Sequence, residues 1–181
     1  LNLSSKVYAD LRLKLIIGDL KPGQTLSIRT LAEAYDHGSM PVREALRQLS
    51  SEGALVGEAK KAYRVPDLSA NEAAKLFYVR AALEGASAEI AAKTVEPKDI
   101  KHLRQLSTKM DGAWEVNNAG SFLENNFLFH SYIYAMAKNS VLEKMAENLY
   151  IRTGPWLAKG IQDNLSRPNA WEASHDGIID A

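Results

Sequence analysis

Apolar residues recur at helical spacing through most of the chain, and their phase divides it into two parts. Between Ser27 and Glu52 the pattern predicts two short amphipathic helices joined by the polar turn Asp36-His37-Gly38-Ser39. In the first, Ile28, Leu31, Ala32 and Tyr35 lie on one face behind Ser27, a residue type suited to accept the bonds of a helix start. In the second, Val42, Ala45, Leu46 and Leu49 form an apolar face, with Arg43, Glu44, Arg47, Gln48 and Ser51 pointing away from it. Pro41 suits a helix start, where its missing N–H costs nothing. An earlier helix is expected over residues 4–17, carrying Val7, Tyr8, Leu11 and Leu15 on one face and ending at Gly18, before a turn at 19–23. Residues 54–58 and 62–66 read as short strands joined by Ala59-Lys60-Lys61, a small wing. From Asp67 no strand-like run follows, and helices are expected at about 69–94, 97–116, 119–137, 139–162 and from 168 onward. The fold class is therefore mainly α: a winged helix-turn-helix at 1–66 and an all-α antiparallel helical bundle at 67–181.

Composition narrows the setting. The 181 residues are 46% hydrophobic, enough for a core in each part. No window holds the roughly 18 uninterrupted apolar residues of a membrane span, and there is no signal-peptide pattern, so a cytoplasmic protein without membrane partners is expected. The chain contains no cysteine, which excludes disulfides and thiolate zinc sites. Any metal must be held by His, Asp, Glu or Asn. The net charge is zero but unevenly divided: ten Lys and Arg against seven Asp and Glu up to Pro66, a net of +3, and a net of −3 thereafter. The basic excess accompanies the helix-turn-helix.

That motif places one helix to brace and a second to carry donors into a DNA major groove; the blander reading is an ordinary helical hairpin. Lys60 and Lys61 at the wing tip suit phosphate contact, or equally a solvated hairpin tip. In the bundle, polar residues fall on apolar faces. The stripe Ala73, Leu76, Phe77, Leu83, Ile90 and Ala91 also carries Arg80, Glu84 and Ser87. Arg80 can pair with Glu84 one turn on, either as a structural ion pair or as a cavity group offering its guanidinium fork to a carboxylate. Asn126 and His130, four residues apart, share the inward face of Phe122, Leu123, Phe127, Ile133, Tyr134 and Ala137. His175 lies beside Trp171, Ile178 and Ile179. A lone histidine in such a place is usually a satisfied core residue, whereas three such positions in a cysteine-free bundle suit a shared oxygen and nitrogen metal site. His102, among charged neighbours, and His37, in the turn, are weaker candidates.

The string Pro41-Val42-Arg43-Glu44-Ala45-Leu46-Arg47-Gln48-Leu49, with Glu52-Gly53-Ala54-Leu55-Val56, resembles the recognition helix and following strand of the GntR family of bacterial transcriptional regulators. Val79-Arg80-Ala81-Ala82-Leu83-Glu84-Gly85, Asn126-Phe127-Leu128-Phe129-His130, Ala137-Lys138-Asn139 and His175-Asp176-Gly177-Ile178-Ile179 resemble the FCD ligand-binding domain of its FadR-type branch. The resemblance implies a divalent ion such as Zn²⁺ or Ni²⁺ held by Asn126, His130 and His175, with an organic acid against it and Arg80 lining the effector cavity. It also implies DNA contacts at Arg29, Arg43 and Arg47. Two departures bear on this. Asn126 stands where a carboxylate is more usual, and the last histidine of the family's set would fall beyond Ala181, so the sequence reads as cut short. In the DNA-binding turn, Ser39 replaces an arginine used for base reading and Gly38 replaces a hydroxyl used for phosphate contact.

The expected function is a ligand-responsive DNA-binding regulator, a repressor released by a small carboxylate and acting as a homodimer on double-stranded operator DNA. Arg43 and Arg47 enter the major groove beside Ser39 and Pro41, while Ser27, Arg29, Lys60 and Lys61 hold phosphates. No enzymatic activity is expected. The alternatives are a metal-dependent enzyme using the Asn and His cluster to activate water, and a helical interaction module without DNA function.

Overall fold

A computed structural model describes residues 2–36, 38–57, 62–163 and 169–180, and only the backbone of 169–174. The first helix, α1 (Leu3–Ile16), begins at Asn2, whose side chain accepts from the Ser5 amide at 2.8 Å. After a turn come β1 (Thr25–Ser27), α2 (Ile28–Ala34), α3 (Ser39–Ser51) and β2 (Ala62–Arg64). Ser27 starts α2 by accepting from the Thr30 amide. The buried side of α3 is Val42, Ala45, Leu46 and Leu49, and it packs against Val7, Leu11 and Leu15 of α1 in one hydrophobic cluster.

The wing differs from its sequence reading. β2 pairs antiparallel with β1, in the register Thr25 with Arg64, Leu26 with Tyr63 and Ser27 with Ala62. The expected strand at 54–58 contributes one bridge: the Val56 amide donates to the Arg64 carbonyl at 2.8 Å, and the Arg64 amide returns a bond at 2.7 Å. Gly57, at φ 133°, takes a backbone conformation that residues with a side chain rarely adopt.

The second part comprises α4 (Ala70–Ala92), α5 (Pro97–Glu115), α6 (Ala119–Met136), α7 (Ser140–Asp163) and α8 (Asn169–Asp180). Their starts are set locally. Ser69 and Glu72 close a reciprocal capping box on α4, Pro97 opens α5, and Asn118 caps α6 through the Ser121 amide. In the bundle α5 packs on α6 and α8, and α4 on α6 and α7. Among the described residues no helix is long and apolar enough to cross a membrane.

The two parts meet across α1, which lies on α7 and touches α6. Phe127, Tyr150 and Ile151 of the bundle belong to the same buried cluster as the core of the N-terminal part. Around that apolar contact, Arg12 pairs with Glu147 at 2.8 Å and Asn148 donates to the Glu52 carbonyl at 2.8 Å.

Candidate functional site

Two places concentrate functional chemistry: the outer face of α3 and a cavity in the bundle. On α3, Glu44, Arg47, Gln48 and Ser51 are exposed, Arg43 is half-buried, and Ser39 is exposed at the first residue with half-buried Pro41 two positions on. The helix starts from Gly38, which supplies no side-chain bond to the first-turn amides. The far end is fixed: Glu52, which closes α3, receives the Tyr8 hydroxyl at 2.9 Å and the Gln48 amide at 3.1 Å. Ser27 is half-buried and spends its hydroxyl on the start of α2. Arg29 is exposed and bonded to Glu33 at 2.9 Å, a surface pair that screening and solvent keep weak and readily exchanged. Lys60, Lys61 and His37 lie outside the described residues. Exposed Arg64 on β2 adds a cation beside the wing that sequence reading passed over.

The bundle cavity measures about 320 Å³ and is lined by Phe77, Arg80, Ala81, Glu84, Asn126, His130, Leu157, His175 and Ile178. Arg80, Asn126, His130 and His175, on three different helices, are thus brought to one void. Arg80 is buried at 5% exposure. Its Nε donates to Glu84 Oε1 at 2.7 Å, Nη1 donates to Thr153 Oγ1 at 3.3 Å, and Cζ stacks 3.9 Å from the Tyr150 ring centroid. The same Glu84 oxygen accepts the Tyr134 hydroxyl at 2.5 Å and lies 3.6 Å from His130 Nδ1. Arg80 is thus the ion pair that the four-residue spacing predicts, and it also lines the cavity.

Burial fixes the charge states. Desolvation, with Arg80 and His175 nearby, brings His130 down to about 4 against the opposing pull of Glu84, so at neutral pH it is an uncharged imidazole. Burial pushes the Glu84 carboxyl up, but charge from His130 and Arg80 and the Tyr134 hydroxyl hold it below its ordinary range; at neutral pH, with His130 uncharged, Arg80 and Tyr134 carry that effect. Arg80 and Glu84 thus stand in the cavity as a cation and an anion in direct contact.

The donor chemistry suits a divalent first-row ion: two imidazoles, at least one of them uncharged, and an amide oxygen. The rings of His130 and His175 lie 5.6 Å apart, and Asn126 Nδ2 is 2.9 Å from His175 Nε2. The Asn126 oxygen accepts the Tyr150 hydroxyl. The groups converge but bond one another, and among the described residues no cluster of three His, Cys, Asp or Glu is arranged for an ion. An ion there has to take the His175 nitrogen from Asn126. Of the hydroxyls that complete this network, Tyr134 falls by spacing on the inward face of α6 but not as a polar partner, and Tyr150 and Thr153 were not singled out; a hydroxyl on an otherwise apolar helix face was the available signal. Trp171's side chain lies outside the described residues, Ile178 is 41% exposed, and exposed His102 stacks on Tyr132 at 4.5 Å, away from the cavity.

Comparison with known proteins bears on both places. The gntR family of bacterial regulatory proteins matches residues 3–65, and the FCD domain matches 75–181. The HTH-type transcriptional regulator McbR of Escherichia coli is 33% identical over 156 residues, which is 86% of this chain and 71% of McbR. The gluconate operon transcriptional repressor of Bacillus subtilis is 30% identical over 145 residues, 80% of this chain and 59% of that protein. The solved structure of E. coli McbR/YncC superposes with a TM-score of 0.87 at 30% identity, covering 97% of this chain and 82% of that one. With a helix-turn-helix and an FCD domain matched in this order, the chain belongs to the GntR family of bacterial transcriptional regulators, in its FadR-type branch.

Proposed function

We propose that this DNA-binding regulator works as a cytoplasmic, homodimeric repressor that a small carboxylate releases from its operator, with no chemical step of its own. The observation that carries the reading is the single cavity onto which Arg80, Glu84, Asn126, His130 and His175 all open. Its size suits a small molecule, and its polar groups are few and convergent. The gluconate operon relative, itself a repressor, supports the direction of control.

Asn126, His130 and His175 would hold a divalent ion, which supplies positive charge. That charge decides the ligand class. Arg80 alone is neutralised by Glu84, and a carboxylate would have to compete for it. A bound cation gives the cavity a positive excess that an organic anion offsets. The α3 arginines then read or position on the major groove, a good bidentate base contact being worth roughly 1–3 kcal/mol of discrimination. A single half-site is small, so two copies on a two-fold operator are needed. The effector shifts the balance between two settings of the DNA-binding parts only by its difference in affinity for them.

Elemental analysis of the purified protein, with thermal melting against a panel of small carboxylic acids, tests the cavity reading. Bound metal near one equivalent per chain and a raised melting point for at least one acid are expected, both lost in His130→Ala. A metal-free protein that still responds to an acid would remove the ion; melting points unmoved by any acid, with metal present, would remove the carboxylate. Gel shifts at rising salt test the DNA side separately, because phosphate contacts make affinity fall with ionic strength.

A further inference from the structure

Met40 is the second residue of α3 and is 64% exposed. At 3.6 residues per turn, Met40, Arg43, Glu44 and Arg47 fall within about 100° of arc, roughly opposite the buried Val42, Ala45, Leu46 and Leu49. The outward face of the recognition helix therefore carries two guanidiniums, a carboxylate and a thioether, with the Ser51 hydroxyl at its far end. Met40 is its sole apolar member, and it stands in the first turn, the part of a recognition helix that approaches base edges most closely. The opposite side of α3 packs against α1, so the core makes no demand for an apolar residue at this position.

A major groove offers one apolar feature to such a side chain, the C5 methyl group of thymine. Methionine is unbranched and polarizable, and it can seat a single methyl group without a shaped pocket. We propose that Met40 is a base-reading residue that selects a thymine in each half-site by covering its 5-methyl group, Arg43 and Arg47 supplying the polar reading alongside. The inference rests on the DNA-binding role of α3 and assigns it a thymine contact in its first turn.

Selection of duplexes from a random pool with the full chain yields the preferred site, and replacing each of its thymines in turn by deoxyuridine removes the methyl group and nothing else. At one thymine per half-site, wild-type affinity should fall about fourfold, the factor that corresponds to burying one methyl-sized group. The same replacement should leave Met40→Ala unmoved and should cost Met40→Leu nearly as much as the wild type. Met40 is 64% exposed and is not part of the buried cluster, so both variants should keep the wild-type helix content. A deoxyuridine penalty equal in wild type and Met40→Ala, or absent from the wild type at every thymine, overturns the assignment. Failure of the wild type to enrich any sequence overturns base reading by α3 as a whole, and so separates that failure from the failure of Met40.

Discussion

Removing the Glu84 carboxylate strands a guanidinium that is 7% exposed. Breaking a buried pair from one side costs more than the pair is worth, because the partner keeps its desolvation penalty. Glu84→Ala should therefore destabilise the protein by roughly 2–3 kcal/mol, short of the fully buried case since Glu84 is itself 22% exposed. Glu84→Gln, which can still accept from Arg80 and Tyr134, should cost less, and urea unfolding midpoints distinguish the two. Tyr8 gives a prediction in pH. Burial, then its bond to Glu52, raises the hydroxyl from 10.0 to about 12. The folded value lies above the unfolded one, so the neutral phenol favours the folded state: its contribution is complete below pH 10 and is lost as pH rises to about 12. The wild type should thus lose more unfolding free energy between about pH 9 and about pH 11.5 than Tyr8→Phe does. At this scale the sequence disclosed the Arg80 and Glu84 pair, because four-residue spacing fixes it within one helix. It put Asn126 and His175 at one shared site but not in direct contact across 49 residues, and it did not reveal that Tyr150 bonds the amide, since those contacts depend on how helices pack.

Element boundaries were legible where one residue closes a local bond. Ser27, Ser69, Pro97 and Asn118 each sit within a residue of where a helix begins. Thr25–Ser27 was not, because a three-residue strand exists only through its distant partner Ala62–Arg64. The helix expected over 139–162 runs unbroken as α7. Pro155 lies inside the helix and denies the Ile151 carbonyl its usual partner, a break that local propensity alone disfavours. Packing explains why the helix continues: Gly154, Pro155 and Ala158 are buried, and α1 passes so close that a Cβ on Gly154 would stand 2.7 Å from the Leu15 carbonyl oxygen. Neither atom is at the end of a flexible side chain. Gly154→Ala should therefore cost about 1–3 kcal/mol, even after the gain in helix propensity. Gly112→Ala in α5, where a Cβ meets nothing within 4 Å, should instead raise stability by roughly 0.5–1 kcal/mol. Thermal melting of the two variants checks the contrast, and opposite signs are the expected result.

Across the whole molecule, the cavity and the recognition helix are joined by packed groups. The Arg80 guanidinium lies against Tyr150, whose ring meets Phe127 edge-on at 5.0 Å, and Arg12 of α1 sits 5.0 Å over Phe127. Arg12 also pairs with Glu147, and Tyr8, one turn before it on α1, holds Glu52 at the end of α3. These contacts form a column that runs from Arg80 to Glu52, the residue that closes α3. Contiguity alone does not establish coupling, but a mutant cycle measures it. Thr153→Ala removes the hydroxyl that accepts from Arg80 while leaving Arg80, Glu84 and Tyr150 in place. Arg12→Ala severs the column at the domain boundary and touches neither cavity nor α3. If the column transmits, Thr153→Ala should change affinity for a selected duplex in the wild-type background and lose most of that effect beside Arg12→Ala, giving a coupling above about 0.5 kcal/mol. Effects that add within about 0.3 kcal/mol would leave the cavity and the DNA-binding part energetically separate along this route.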